Sequence, residues 1–173
     1  SILSSSSAAS DVYKRQLWNR GALSAFEAHE RRLAEVNGLQ LGAVYADLDH
    51  FKAINDKHGH GGGDKVLCET ARRLRAALRP DDLLVRHGGE EFVAILQVKD
   101  SEELQRIAER IREQVGAGAM QLPSGQLKVS LSIGCTLFAK GETLNDALER
   151  ADKGLYTAKQ NGRDRVVYVA PPC

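Results

Sequence analysis

Cysteine is sparse and unpatterned in this chain. Cys68, Cys135 and Cys173 lie far apart, are odd in number and fall outside any CxxC spacing, so neither a disulfide framework nor a zinc knuckle is expected. Charge of one sign is missing as well: the formal net charge is +1, which leaves no broad positive field to hold nucleic acid or an anionic membrane. No apolar run approaches the roughly 20 residues that span a bilayer. The opening SILSSSSAAS has neither the basic start nor the apolar centre of a secretory signal. What remains is a chain of 173 residues, 42% hydrophobic and 27% charged, the profile of one globular domain in a reducing, cytoplasmic setting. A nucleotide partner of such a domain would need local phosphate contacts.

Residues 1–16 are rich in serine and alanine and then polar, with no period that buries a face; they read as a disordered or non-native leader. The domain is expected over 17–170, with a short tail at 171–173. From Gly21 to Val36 the apolar positions Leu23, Phe26, Leu33 and Val36 recur at helical spacing, closed by Asn37 and Gly38. LQLGAVYA over 39–46 reads as a buried strand that delivers Asp47 and Asp49 at its C-terminal end. Leu67, Ala71, Leu74 and Leu78 mark a helix starting at Asp64, which stands where an N-cap belongs. Leu83–Arg86 and Phe92–Gln97 predict a tight hairpin turning at Gly88 and Gly89. Leu104, Ile107, Ile111 and Val115 predict another helix, LKVSLSIGCTLF over 127–138 a strand, Leu144 to Leu155 a last long helix, and Val166–Val169 a closing strand. Helices and strands interleave while hairpins join several strands directly, which favours an α+β sandwich with a mixed or antiparallel sheet over a doubly wound fold.

Two constellations carry chemistry. Asp47 and Asp49 at a strand end offer hard oxygen ligands of the kind a phosphate-bound Mg²⁺ prefers, and alternation along an extended chain would point both to one face. Taken alone, such a pair is more often a solvated loop or a helix cap. In GGEEF over 88–92, two glycines let backbone approach a phosphate closely while adjacent glutamates emerge at a strand start. Consecutive strand residues face opposite ways, so only one of Glu90 and Glu91 is expected to share the face of Asp47. An ordinary Gly-Gly hairpin with exposed acids explains the same spacing. His58 and His60, two apart in a glycine-rich loop, lack the further ligands that a tetrahedral zinc site needs and read as structural.

The strings DLDHFKAINDKHGHGGGD over 47–64, RHGGEEF over 86–92, SIG over 132–134 and ADKGLYTAKQNGR over 151–163 together resemble, in order and spacing, the GGDEF family of diguanylate cyclases in its GGEEF variant. The resemblance runs from about Leu17 to Val167. It implies a ferredoxin-like or palm-type domain, as in nucleotidyl cyclases, with a mixed, mostly antiparallel sheet of about five strands flanked by helices. It implies condensation of two GTP into cyclic di-GMP and two pyrophosphates, across a homodimer in which each domain holds one GTP. Asp47, Glu90 and the backbone carbonyl of Leu48 then match the ligands of Mg²⁺ or Mn²⁺, and Glu91 matches the second acidic position needed for catalysis. Asn55 and Asp64 match the readers of the guanine edge, where an amide and a carboxylate complement its donors and acceptor. Gly88 and Gly89 match the turn that lies along the phosphates. Lys159 and Arg163, four apart and so on one helical face, match the cations of the β- and γ-phosphates; without the family they read as a solvated basic helix end.

The resemblance also implies feedback. Arg79 and Asp82 form an RxxD pattern with five residues between it and Gly88, where the family carries its cyclic di-GMP inhibitory site, and Arg110 matches a secondary arginine. Arginine forks suit the phosphates and guanine faces of a cyclic dinucleotide; a surface ion pair accounts for the bare pattern equally well. Two departures stand out: DVYKRQ over 11–16 replaces the family's D-x-L-T-G start, leaving Leu17, Asn19 and Arg20 of that motif, and Asp164 replaces the usual asparagine after Arg163. The competing class is a GTP- or cyclic di-GMP-binding module without turnover. Intact Asp47, Glu90 and Glu91 speak against it. Neither nucleic acid nor membrane contact is expected.

Overall fold

A computed structural model of the chain describes residues 20–173; the leader expected over 1–16, and Leu17 and Asn19, lie outside the described residues. Helix α1 (Arg20–Asn37) leads into strand β1 (Gln40–Leu48), and α2 (Phe51–Ala77) follows. The hairpin β2 (Leu83–Arg86) and β3 (Glu91–Val98) comes next, then α3 (Ser101–Gly116). A small hairpin, β4 (Met120–Leu122) and β5 (Gly125–Leu127), precedes β6 (Leu131–Leu137), α4 (Leu144–Gln160) and β7 (Val166–Tyr168). The central sheet has five strands in the order β2-β3-β1-β6-β7, antiparallel throughout except for the β6–β7 pair. The α+β architecture with a mostly antiparallel five-stranded sheet is the one anticipated.

Strand alternation builds a core on each side of the sheet. Val44, Ala46 and Leu48 of β1 join Phe92, Ala94 and Leu96 of β3 against α2 and α3. Leu41, Ala43 and Tyr45 join Val93 and Ile95 against Leu148, Ala151 and Leu155 of α4. Full burial of a Leu or Ile side chain contributes about 1.5–3 kcal/mol, and Ile95, Leu96, Leu104, Leu131 and Ile133 are all completely covered. Cys135 belongs to this interior, and burial pushes its thiol up to about 12, so it acts as an inert apolar residue. The α3 and α4 helices begin at side-chain caps: Asp100 accepts from the Glu103 N–H at 2.8 Å and Thr143 from the Asp146 N–H at 3.2 Å, each worth about 1 kcal/mol.

Two close approaches explain the glycines of SIG and ADKGLY. A Cβ on Gly134 would stand 1.9 Å from the Ala151 carbonyl oxygen, and one on Gly154 would stand 2.9 Å from that of Val167. Helix α4 therefore rests directly on the β6 backbone, which fixes the position of its last turn relative to β1.

Several local expectations are corrected. Asp64 is not an N-cap: α2 breaks only at Gly59, whose φ of 72° and ψ of 170° are non-helical, and then continues, so Asp64 lies inside its second segment. His58 and His60 are accordingly on α2 rather than in a loop, and His58 Nδ1 lies 2.6 Å from Ser124 Oγ. The predicted strand over 127–138 is split, because β5 pairs with β4 in a separate two-stranded sheet and only Leu131–Leu137 enters the main one. Among the described residues no helix is long and apolar enough to cross a membrane.

Candidate active site

The C-terminal end of β1 meets the β2–β3 turn and the last turn of α4. Asp47 and Glu91 are directly opposed in the β1–β3 register, so they share the α4 face, while Glu90 precedes β3 and its carbonyl accepts from the Leu48 N–H at 3.3 Å. Of the two glutamates, Glu91 is the one on the strand face of Asp47. Glu90 instead lines a cavity of about 530 Å³ together with Leu48, Phe51, Lys52, Lys159 and Arg163. Leu48 brings the end of a central strand to this cavity, and Lys52, Lys159 and Arg163 bring three cations.

Asp47 is the most perturbed acid here. Its carboxyl is pushed up from 3.8 to about 6, chiefly by burial; Lys159 opposes the rise, and Glu90 and Glu91 add to it. Lys159 Nζ donates to Asp47 Oδ2, whereas Oδ1 is buried without a hydrogen-bond partner. A buried, unsatisfied carboxylate oxygen costs about 1–3 kcal/mol or more. It is the feature expected of a ligand atom. The donor set fits a hard divalent cation: Asp47, Glu90 and the Leu48 carbonyl are all oxygens, and the Lys159 ammonium stands in for positive charge against Asp47. Among the described residues no group of three or more His, Cys, Asp or Glu side chains is gathered to hold a metal by itself, so water or phosphate oxygens would complete the shell of such a cation.

Glu91 is held differently. Tyr45 Oη donates to Glu91 Oε2 at 2.9 Å, and the His87 ring packs edge-on against Tyr45 with centroids 5.5 Å apart. Burial first, then the Glu91 bond and charge, drives the Tyr45 hydroxyl above its ordinary range, so it remains a donor. Asp152 of α4 faces the same cluster, its carboxyl raised by burial and by Glu91. Tyr45 belongs to none of the motif strings in the sequence. Its position two residues before Asp47, on the same strand face, is the signal that would have found it.

The Gly88–Gly89 turn is not a left-handed one, since neither glycine has a positive φ. The space beside Gly89 is open, with nothing within 4 Å of where a Cβ would be, while a Cβ on Gly88 would stand 3.2 Å from Glu91 Oε2. Arg86 Nε donates to the Gly89 carbonyl at 2.8 Å and holds the turn in place. Asn55 packs against Gly63, where a Cβ would fall 1.8 Å from Asn55 Oδ1. That contact sets Asn55 beside the residue preceding Asp64, and Asp64 itself is exposed. Asn55 thus stands one helical turn beyond Phe51, against the residue that precedes Asp64.

Lys159 and Arg163 both line the cavity, though not as neighbours on a helix. Helix α4 ends at Gln160, and Gly162, Arg163 and Asp164 follow with φ of 113°, 65° and 46°. Asp49 also departs from expectation. The strand stops at Leu48, so alternation does not carry Asp49 to the face of Asp47; its carboxylate accepts from Ser130 and Ser132 instead.

The RxxD pattern lies at the other end of β3. The Arg79 side chain donates to the Gln97 carbonyl, six residues or about 20 Å along the strand from Glu91. Asp82 is buried and accepts from the Arg79 backbone N–H at 2.8 Å, closing a turn, while Arg110 Nε donates to the Ala77 carbonyl at 3.0 Å. Arg79, Asp82 and Arg110 are therefore grouped at the end of α2, with Arg79 half-exposed.

The family model described as "Diguanylate cyclase, GGDEF domain" matches residues 13–165. Diguanylate cyclase DgcP of Pseudomonas aeruginosa is 40% identical over 148 residues, covering 86% of this chain and 22% of the relative. Response regulator PleD of Caulobacter vibrioides is 44% identical over 137 residues, 78% of this chain and 30% of the relative. The chain thus spans less than a third of these relatives' length. Among solved structures, the GGDEF domain of DgcB from Caulobacter crescentus in complex with c-di-GMP superposes with a TM-score of 0.78 at 31% identity, covering 87% of each chain. The active GGEEF domain of a diguanylate cyclase from Vibrio cholerae gives 0.76 at 30% identity, covering 91% of this chain and 97% of that one. The family-model match over most of the chain and the likeness to these solved domains lead to one conclusion: this chain belongs to the diguanylate cyclase GGDEF-domain family.

Proposed function

We propose that this domain condenses two GTP molecules into cyclic di-GMP, each domain presenting one GTP to a partner copy. The observation that carries the reading is the buried, unpaired Oδ1 of Asp47, whose other oxygen is held by Lys159, a residue that lines a cavity with Glu90 and Arg163. In each half-reaction the 3′-oxygen of one GTP bonds to the α-phosphorus of the other, the bond to the β-phosphate bridging oxygen breaks, and pyrophosphate leaves. The same exchange in the opposite sense closes the ring. A divalent cation, Mg²⁺ or Mn²⁺, would be held by Asp47, Glu90 and the Leu48 carbonyl and would supply acidification of the hydroxyl and neutralisation of phosphate charge.

The chain's own residues do the positioning. Lys159 exchanges Asp47 for the β- and γ-phosphates, and Arg163, from the turn after α4, grips the same groups. The Gly88–Gly89 backbone leaves room for the phosphates to lie close. Asn55 and Asp64 select guanine through its N–H, amine and carbonyl groups, an edge adenine lacks. Glu91, fixed by Tyr45, stands beside Asp47 to receive the hydroxyl proton. Two such half-sites must face each other, which requires a homodimer at least during turnover. Cyclic di-GMP binding at Arg79, Asp82 and Arg110 provides feedback from the opposite sheet end.

Pyrophosphate release by the wild-type chain and by Glu90→Ala and Asn55→Ala variants tests this. Turnover by wild type, none by Glu90→Ala and a large rise in GTP requirement for Asn55→Ala are expected. GTP binding by wild type with no pyrophosphate at any protein concentration would instead support the non-catalytic module.

A further inference from the structure

We propose that Asp49 is the positioning residue that sets the phosphate-gripping turn, and that it takes no part in holding the metal. The inference rests on the cyclase reading of the cavity. Asp49 Oδ1 accepts from Ser132 Oγ at 2.6 Å; Oδ2 accepts from Ser130 Oγ at 2.6 Å and from the Asp164 N–H at 3.1 Å. Its own N–H donates to the Ser130 carbonyl at 2.9 Å. One carboxylate, 3% exposed, therefore ties three segments together: the end of β1, the start of β6 and the turn after α4.

Strain gathers around the same group. Among the described residues the non-glycine positions with positive φ are His50, Arg163 and Asp164. His50 follows Asp49 directly, and Asp164 is bonded to it. Left-handed conformations of such residues cost about 1–2 kcal/mol each and persist where surrounding contacts hold them. The Asp49 bond to the Asp164 N–H is such a contact, and it lies one residue beyond Arg163 on the cavity rim. A second tether belongs to this chain's own departure from the family pattern. Asp164 Oδ1 accepts from Arg112 of α3 at 2.8 Å, where an asparagine would supply no charge. Both oxygens of Asp49 are occupied by protein donors, unlike Asp47, whose Oδ1 has none.

Asp49→Ala, Asp49→Asn, Arg163→Ala and the double variant Asp49→Ala/Arg163→Ala separate positioning from ligation. The readouts are KM and kcat for GTP, the Mg²⁺ requirement, and the exchange rate of the Asp164 amide by NMR. Asp49→Ala is expected to raise KM about tenfold with kcat changed less than about twofold, and to speed Asp164 amide exchange at least about tenfold. Asparagine keeps an oxygen for the Asp164 N–H and can donate to Ser132, so Asp49→Asn should stay within about twofold of wild type in all readouts. Arg163→Ala added to Asp49→Ala should raise KM less than about twofold further, because the first change has already released the arginine.

Multiplying effects of the two substitutions, unchanged Asp164 exchange in Asp49→Ala, or an Asp49→Asn variant with a raised Mg²⁺ requirement would each overturn the proposal. Should Asp49→Ala fail to fold, Ser130→Ala takes its place, with a KM rise of about threefold expected and none contradicting. If wild type turns over no GTP, the cyclase reading fails while the amide-exchange comparison still decides the tether.

Discussion

Replacing Asp47 by asparagine should stabilise the metal-free domain while abolishing turnover. In the folded chain burial raises this carboxyl from 3.8 to about 6, so the folded state holds its proton more tightly than the unfolded chain does. Stability contributed by the proton is fully present below about pH 4 and is lost as pH rises through about 6. The full difference is about 3 kcal/mol at 1.36 kcal/mol per pH unit. Asparagine resembles the protonated acid and escapes that loss, although Lys159 forfeits its partner; that side chain is 31% exposed and can turn to water. The variant should therefore match wild type near pH 4 and exceed it by up to about 3 kcal/mol at pH 8. Urea unfolding followed by circular dichroism, in chelator, across pH 4–8 measures this directly. A difference that does not change with pH, or an asparagine variant less stable than wild type at pH 8, would refute the electrostatic reasoning.

Gly134→Ala should cost about 3 kcal/mol and lower the melting temperature by about 10 °C, since the methyl meets α4 backbone rather than a flexible side chain; thermal unfolding checks it. Tyr45→Phe removes the hydrogen bond to Glu91 and should lower kcat about fivefold with GTP binding unchanged, near the 1 kcal/mol of one such bond; steady-state kinetics would contradict it by showing no change. Arg79→Ala should abolish the slowing of turnover as product accumulates, read from progress curves with and without added cyclic di-GMP. Because the Arg79 cluster is about 20 Å from Glu91 along β3, its initial rate should equal that of wild type.

Periodicity made the framework legible. Leu104, Ile107, Ile111 and Val115 mark the buried face of α3, and all four are buried in the structure. Motif strings also placed Asp47, Glu90, Lys159 and Arg163 around one strand end. What escaped depends on where regular structure stops. Asp49 left the predicted face because β1 ends at Leu48, one residue short of it. Arg163 left the predicted helical face because α4 stops at Gln160 and a positive-φ glycine follows. Asp64 lost its capping role because the break in α2 falls at Gly59, a backbone choice that three further glycines over 61–63 made hard to place from sequence. The Tyr45–Glu91 and Asp49–Ser132 bonds join residues distant in sequence, which no local pattern reports.

The most direct test of the central claim is incubation of the wild-type chain with GTP and Mg²⁺, beside a parallel sample with ATP, followed by mass detection of cyclic dinucleotide. The account predicts cyclic di-GMP from GTP alone, with two pyrophosphates released per product and none of either from Glu90→Ala. No cyclic product at high protein concentration, or equal yields from ATP and GTP, would contradict it.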